Sequence, residues 1–151
     1  KIRIYETPFD DIQHVVFVHG EVRGRNQVPT RIHREQPVLD MLSLVGGGRS
    51  WVDVAVEKIK ASGQGVVMLL RSPQIDDLEA RPAAGDEPVA DGERHLSARI
   101  RRQRWREVGI GAQILRDLGV SSIAVLATHE RAYVGLTGFG IEVCETILVK
   151  E

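Results

Sequence analysis

Between Trp51 and Leu70 the apolar residues change their period. Val52, Ala55, Val56 and Ile59 recur at steps of three and four, which is one stripe of a helix, and Gly63 stands where a helix C-terminus favours a left-handed residue. Gly65 then leads into Val66-Val67-Met68-Leu69-Leu70, an unbroken apolar run too short for a helix and typical of a strand covered on both faces. The order repeats further on. Ile110, Ile114, Leu115 and Leu118 mark a helix over Gly109 to Leu118 with Gly119 as its stop, and Ile123 to Ala127 is another apolar run. A strand buried on both faces needs a layer above it and a layer below it, so the chain is predicted to be an α/β layered domain. Its 151 residues suit one domain with a core of ordinary size.

Other segments complete this outline. Val15 to Val18 reads as a buried strand after the turn-forming Pro8–Asp11 stretch, and Gly20–Pro29 reads as a loop. Thr30 to Glu35 alternates weakly, as a strand running into Pro37. Val38, Leu39, Met41, Leu42, Leu44 and Val45 form an apolar patch ended by Gly46-Gly47-Gly48. Thr128 to Arg131 forms a turn at the carboxyl end of a strand, where open α/β sheets place ligands. A short helix around Tyr133–Leu136 and a strand from Ile141 to Leu148 close the chain.

Charge separates into two blocks. Pro73 to Glu93 holds seven acids against Arg81, a net of −6, and is punctuated by prolines and glycines; it is expected to be a flexible insert. Arg94 to Arg106 holds six arginines and no acid, a net of +6. The total of −1 conceals both. Trp105 lies inside the basic block, but one aromatic residue is a poor stacking platform and the acidic block lies alongside, so a solvated helix face is expected and nucleic acid is not. Cys144 stands alone, which excludes an internal disulfide, and in an alternating strand it is expected to pack as a small hydrophobe. His14, His19, His95 and His129 have no metal spacing and read as surface or loop residues. No apolar run approaches the ~20 residues of a membrane span and no leader opens the chain. A cytoplasmic domain with no membrane contact is expected, and Lys1 in place of Met suggests a larger parent polypeptide.

The string Val108-Gly-Ile-Gly-Ala-Gln-Ile-Leu-Arg-Asp-Leu-Gly-Val120, followed by a strand ending in Thr128 and by Gly135-Leu-Thr-Gly-Phe-Gly-Ile-Glu-Val143, resembles the C-terminal third of GTP cyclohydrolase II. Ala55–Arg71 resembles the central helix and strand of that family, and Arg31-Ile-His-Arg-Glu35 its Arg-x-His-x-Glu motif. The resemblance implies a mixed sheet with flanking helices and, as an activity, opening of the imidazole ring of GTP to a diaminopyrimidine with release of formate and pyrophosphate. That chemistry runs on a zinc held by three cysteines, which lowers the pKa of bound water to about 7 and leaves one coordination position open. Here the three cysteine positions fall on Gln36, Gly46 and Gly48, none of which is a ligand, so no metal residues and no cofactor are assigned to this domain.

Further departures accompany this one. An Asp-x-Arg pair of acid/base and nucleophile falls on Arg104 and Arg106, so the one catalytic position retained is Arg106, without its carboxylate. The phosphate segment expected after Leu70 reads Arg71-Ser-Pro-Gln-Ile-Asp-Asp, acidic where a triphosphate would lie. The lysine expected after the third strand is replaced near Tyr133, His129-Glu130 replaces an Asn-Asn, and Trp51 replaces a glutamine that contacts GTP. Arg31, Glu35 and Thr128 match nucleotide-contacting positions, since guanidinium suits phosphate and a strand-end hydroxyl suits a base or sugar.

The resemblance therefore implies a degenerate, non-catalytic domain of a riboflavin-biosynthesis polypeptide, homodimeric, with the parent's activity in an upstream 3,4-dihydroxy-2-butanone 4-phosphate synthase, a magnesium-dependent lyase. Two alternatives stand beside it. One is residual GTP cyclohydrolase or nucleotide hydrolase activity, and the other is a regulatory domain that senses GTP or a flavin, each with weak nucleotide binding.

Overall fold

The computed structural model describes residues 1–7, 10–47, 49–71, 105–128 and 134–149. The acidic block and most of the basic block, with His95, Arg104, His129 and Tyr133, lie outside these residues, as does Gly48. Six strands form one mixed sheet: β1 (Ile2–Thr7), β2 (Asp10–His19), β3 (Val28–Arg34), β4 (Gly65–Leu70), β5 (Ser122–Ala127) and β6 (Glu142–Leu148), in spatial order β1-β2-β4-β3-β5-β6. β1 and β2 are antiparallel, β2 runs antiparallel to β4, and β4, β3, β5 and β6 are mutually parallel.

Helices α1 (Pro37–Val45) and α2 (Trp51–Ser62) connect β3 to β4. Helix α3, over residues 105–117, precedes β5, and the short α4 (Val134–Gly138) precedes β6. Pro37 begins α1, at a position where its missing N–H has no helical partner to lose. α2 opens on a capping box in which Ser50 accepts from the Asp53 N–H and the Asp53 carboxylate accepts in return from the Ser50 N–H. It closes on Gly63 with φ of 71°, as the glycine position requires. α3 ends in a Schellman pair, Val120 N–H to the Leu115 carbonyl and Gly119 N–H to that of Arg116, with Gly119 at φ 74°.

The sheet separates two cores. On one face Val16, Val66, Met68, Ile123 and Val125 pack against Ile114, Leu115 and Leu118 of α3, with Leu136 of α4. On the other face Val54, Ala55 and Ile59 of α2 pack against Leu126 and Val149. β4 is covered on both sides, as its uninterrupted apolar run requires.

Several expectations need correction. β3 begins at Val28 rather than Thr30; Val28 and Pro29 pair with β5 before the β4 ladder starts at Thr30, so the proline leaves no gap on that side. β2 starts at Asp10, its polar first half pairing with β1, a strand not anticipated. His14 is not a surface residue: it is 2% exposed, and its Nδ1 accepts the Arg71 backbone N–H at 3.2 Å. Cys144 does not pack inside. It is exposed at the register shift between β5 and β6, with Sγ 3.1 Å from Ser122 Oγ.

Gly65 shows how tightly β4 enters the sheet. A Cβ there would lie 2.7 Å from Ile59 Cγ1 and 2.8 Å from the Pro29 carbonyl oxygen. Gly65→Ala is expected to lower unfolding free energy by about 1–3 kcal/mol, read from the urea midpoint at unchanged m-value.

Candidate functional site

Parallel strands β3, β4 and β5 end at one edge of the sheet, and the residue after each carries a polar group: Glu35, Arg71 and Thr128. This is the edge at which open α/β sheets bind ligands. Glu35 is tied down on both sides. Its N–H donates to the Leu70 carbonyl at 2.9 Å, and its Oε2 accepts from Arg71 Nε at 2.9 Å. Thr128 is half-buried directly after β5. Arg106 is exposed on the first turn described for α3, and its neighbour Glu107 pairs with Arg34 at 3.1 Å, which brings this turn to the carboxyl end of β3.

Arg31 lies deeper. Its side chain is buried on the α2 face of β3, where Nη1 donates to the Leu126 carbonyl at 2.9 Å and the guanidinium carbon stands 5.4 Å from the centre of the Trp51 ring. Trp51, the first residue of α2 and 8% exposed, stacks on His33 with ring centres 3.8 Å apart and planes 19° from parallel. Asp40 of α1 gathers the group. Its carboxylate accepts from His33 Nε2 at 2.9 Å, from the Gln36 N–H at 2.9 Å and from Trp51 Nε1 at 3.4 Å. Burial works to raise the Asp40 pKa, yet these donors outweigh it and hold the carboxyl below its ordinary value of 3.8.

Beside this network a cleft of about 410 Å³ opens between α1, α2 and the sheet. Phe17, Val67 and Leu69 form its floor and Val56 a wall, with His33, Glu35 and Asp40 at its polar end. It falls in the size range of small-molecule sites, but its surface is mainly apolar.

Residue by residue, then, Glu35, Arg71 and Thr128 share the strand edge, Arg31 faces α2, and Arg106 comes to that edge on the helix of the other face. Asp40 was missed by sequence reasoning. The available signal was an acid in the first turn of a helix directly after the apolar pair Val38-Leu39, which is common and unspecific.

The residues at the positions of the zinc cysteines do not fit that metal. Gln36 is the N-cap of α1 and Gly46 its C-cap, so they stand ~15 Å apart along a helix at 1.5 Å per residue. Ligands of one zinc lie within about 2.3 Å of it, and neither residue carries a thiolate. Among the described residues no three His, Cys, Asp or Glu side chains come together in a way that could hold a metal ion. No helix among them is long and apolar enough to cross a membrane.

A mixed sheet flanked by helices, with polar residues at the ends of its parallel strands, defines an α/β domain. The chain matches the GTP cyclohydrolase II family over residues 1–148, and it belongs to that family. Its relatives are riboflavin biosynthesis proteins. It is 32% identical over 145 residues to the monofunctional riboflavin biosynthesis protein RIBA 2, chloroplastic, of Arabidopsis thaliana, covering 95% of this chain and 29% of the relative. It is 31% identical over 157 residues to riboflavin biosynthesis protein RibBA of Rhodococcus jostii (strain RHA1), covering 95% and 36%. With the bifunctional riboflavin biosynthesis protein RIBA 1, chloroplastic, of Arabidopsis thaliana it shares 29% over 152 residues, covering 92% and 26%. The chain thus spans about a third of the length of the curated relatives it matches.

Proposed function

We propose that this chain is a non-catalytic GTP cyclohydrolase II domain that serves a riboflavin-biosynthesis polypeptide through assembly and stability. The observation that carries this reading is the use made of the polar groups around the cleft. Arg31 spends a donor on the Leu126 carbonyl and lies over Trp51, and Glu35 holds Arg71, while the indole fills the space between Arg31 and His33. A triphosphate needs several cations converging on open solvent. The zinc positions support the same reading, since an imidazole ring cannot be opened by hydrolysis without an activated water, and Gln36 and Gly46 offer no means of making one.

On this reading the domain binds no zinc, Arg106 follows Arg104 where the family resemblance places an acid/base aspartate, and Arg31, Glu35 and Thr128 act as structural residues. The activity of the longer polypeptide belongs to an upstream synthase domain that acts on a sugar phosphate with magnesium. Titration calorimetry with GTP, GMP and flavin mononucleotide is expected to give no heat of binding, and elemental analysis of the purified chain less than 0.1 zinc per chain, that is, about none. Saturable heat with GTP would favour a nucleotide sensor instead, and stoichiometric zinc would overturn the account of Gln36 and Gly46.

A further inference from the structure

The cleft between α1, α2 and the sheet has a body and a head of different chemistry. Its floor crosses three strands: by register Phe17 of β2 lies beside Val67 of β4, and Leu69 of β4 lies beside His33 of β3. Val56 of α2 walls it. Water held in such a trough meets methyl and ring carbons on most sides, so its release favours a ligand with an apolar body. At ≈ 30 Å³ per water the 410 Å³ holds on the order of ten waters, the room of a one- or two-ring molecule.

The head is built from acceptors. Glu35 and Asp40 bring two carboxylates to it, and Ser43 brings a hydroxyl whose proton already goes to the Asp40 carbonyl at 2.8 Å. The donors at this end are spent on those carboxylates: His33 Nε2, the Gln36 N–H and Trp51 Nε1 on Asp40, and Arg71 Nε on Glu35. Against the opposing effect of burial, the donors on Asp40 hold its carboxyl below the ordinary 3.8, so it is ionised at neutral pH. Arg31, on the same face of β3, turns its charge away from the floor, because it donates to Leu126 of β5 and β5 lies on the side of β3 opposite β4. A molecule entering the cleft therefore meets carbon along its length and negative charge at its end. Phosphate and carboxylate groups are repelled there, and a cation is attracted.

We propose that the cleft binds a small organic cation, a protonated amine on a one- or two-ring apolar body, with the ammonium group at Glu35 and Asp40 and the body over Phe17, Val67 and Leu69. The inference goes beyond the non-catalytic reading above and stands independently of it. An ammonium group carries three donors and no acceptor, which matches an end made of carboxylate oxygens and the Ser43 hydroxyl. Its bonds there are charge-assisted and offset the water it gives up. Glu35 keeps its bond to Arg71 through Oε2 while its carboxylate faces the cleft, so the residue that ties β3 to β4 also sets the sign of the ligand.

Trp51 gives the test its signal. The chain has two tryptophans, Trp51 lining the cleft and Trp105 exposed on α3 across the sheet, so Trp105→Phe leaves a single fluorophore at the site. Titrating that chain at neutral pH with phenylbutylamine, phenylbutanol and phenylbutyrate separates charge from apolarity. The amine is expected to change the Trp51 emission saturably with a Kd below about 1 mM, and the alcohol and the carboxylate to bind about 10-fold more weakly or worse. Glu35→Gln is expected to weaken the amine about 10-fold while leaving the alcohol unchanged, and Val56→Lys, which sets a cation in the wall, to weaken all three. Far-UV circular dichroism checks the fold of both variants; Val56 is partly exposed, so Val56→Lys carries the test should Glu35→Gln fold poorly. Three results each overturn the proposal: no saturable response to the amine up to about 10 mM, equal affinity for the amine and the alcohol, or amine binding indifferent to both substitutions.

Discussion

Trp51→Ala is expected to lower the unfolding free energy by about 3–5 kcal/mol in urea denaturation, the largest effect of any single truncation around the cleft. Three contributions are lost together. The indole is buried, so its removal leaves a cavity that α2, pinned by the Ser50–Asp53 capping box, cannot collapse to fill. Its stack on His33 and its position under the Arg31 guanidinium go with it. Trp51→Phe keeps a ring against His33 and gives up the indole volume and the 3.4 Å bond to Asp40, so a loss of about 1–2 kcal/mol is expected. Trp105, 61% exposed on α3, is the internal control: its truncation should change stability by less than about 0.5 kcal/mol. Equal effects at Trp51 and Trp105 would contradict the account of the site as a packed aromatic network.

Asp40→Ala should cost about 2–4 kcal/mol, because it leaves three donors from three elements without their acceptor: His33 of β3, the Gln36 N–H at the start of α1, and Trp51 of α2. The carboxylate fastens α1, whose Val38, Met41, Leu42 and Val45 are exposed, to His33 of the sheet, and amide exchange in α1 should accelerate more than in α2. The same group predicts a pH dependence. With its folded pKa below 3.8, Asp40 contributes its full stabilisation above that value and loses it as pH falls from 3.8 through the lower folded pKa. Asp40→Asn should therefore reduce the difference in stability between pH 6 and pH 3 relative to the wild-type chain. An unchanged difference would remove Asp40 from the role assigned to it.

What the sequence disclosed and what it concealed divide along physical lines. The α2–β4 and α3–β5 units were legible because both the helical stripe and the buried runs respond to the same force, removal of apolar area from water, at periods that differ clearly. β1 was hidden because Ile2 and Ile4 alternate with charged and polar residues on an uncovered strip, so that no burial pattern marks it. α1 shows an apolar patch in sequence, but nothing in that patch says that Val38, Met41, Leu42 and Val45 stay exposed; the contacts of Asp40 with His33 of β3 and Trp51 of α2, which turn the other side of the helix to the fold, decide this. The strand-edge residues Glu35 and Thr128 could be placed from the family resemblance. Their use could not, since the pairing of Glu35 with Arg71 joins residues 36 positions apart. The stack of His33 on Trp51 likewise depends on how α2 meets the sheet, a tertiary fact with no local signature.

Membership of the family does not by itself carry its chemistry. Incubating the purified chain with GTP and added zinc, and assaying formate over hours at a protein concentration of about 10 μM, tests most directly whether that chemistry is kept. For a non-catalytic domain, formate release is expected to be indistinguishable from that of GTP and zinc alone, whether or not magnesium is present. Release of formate in proportion to enzyme, abolished by Arg106→Ala, would contradict it.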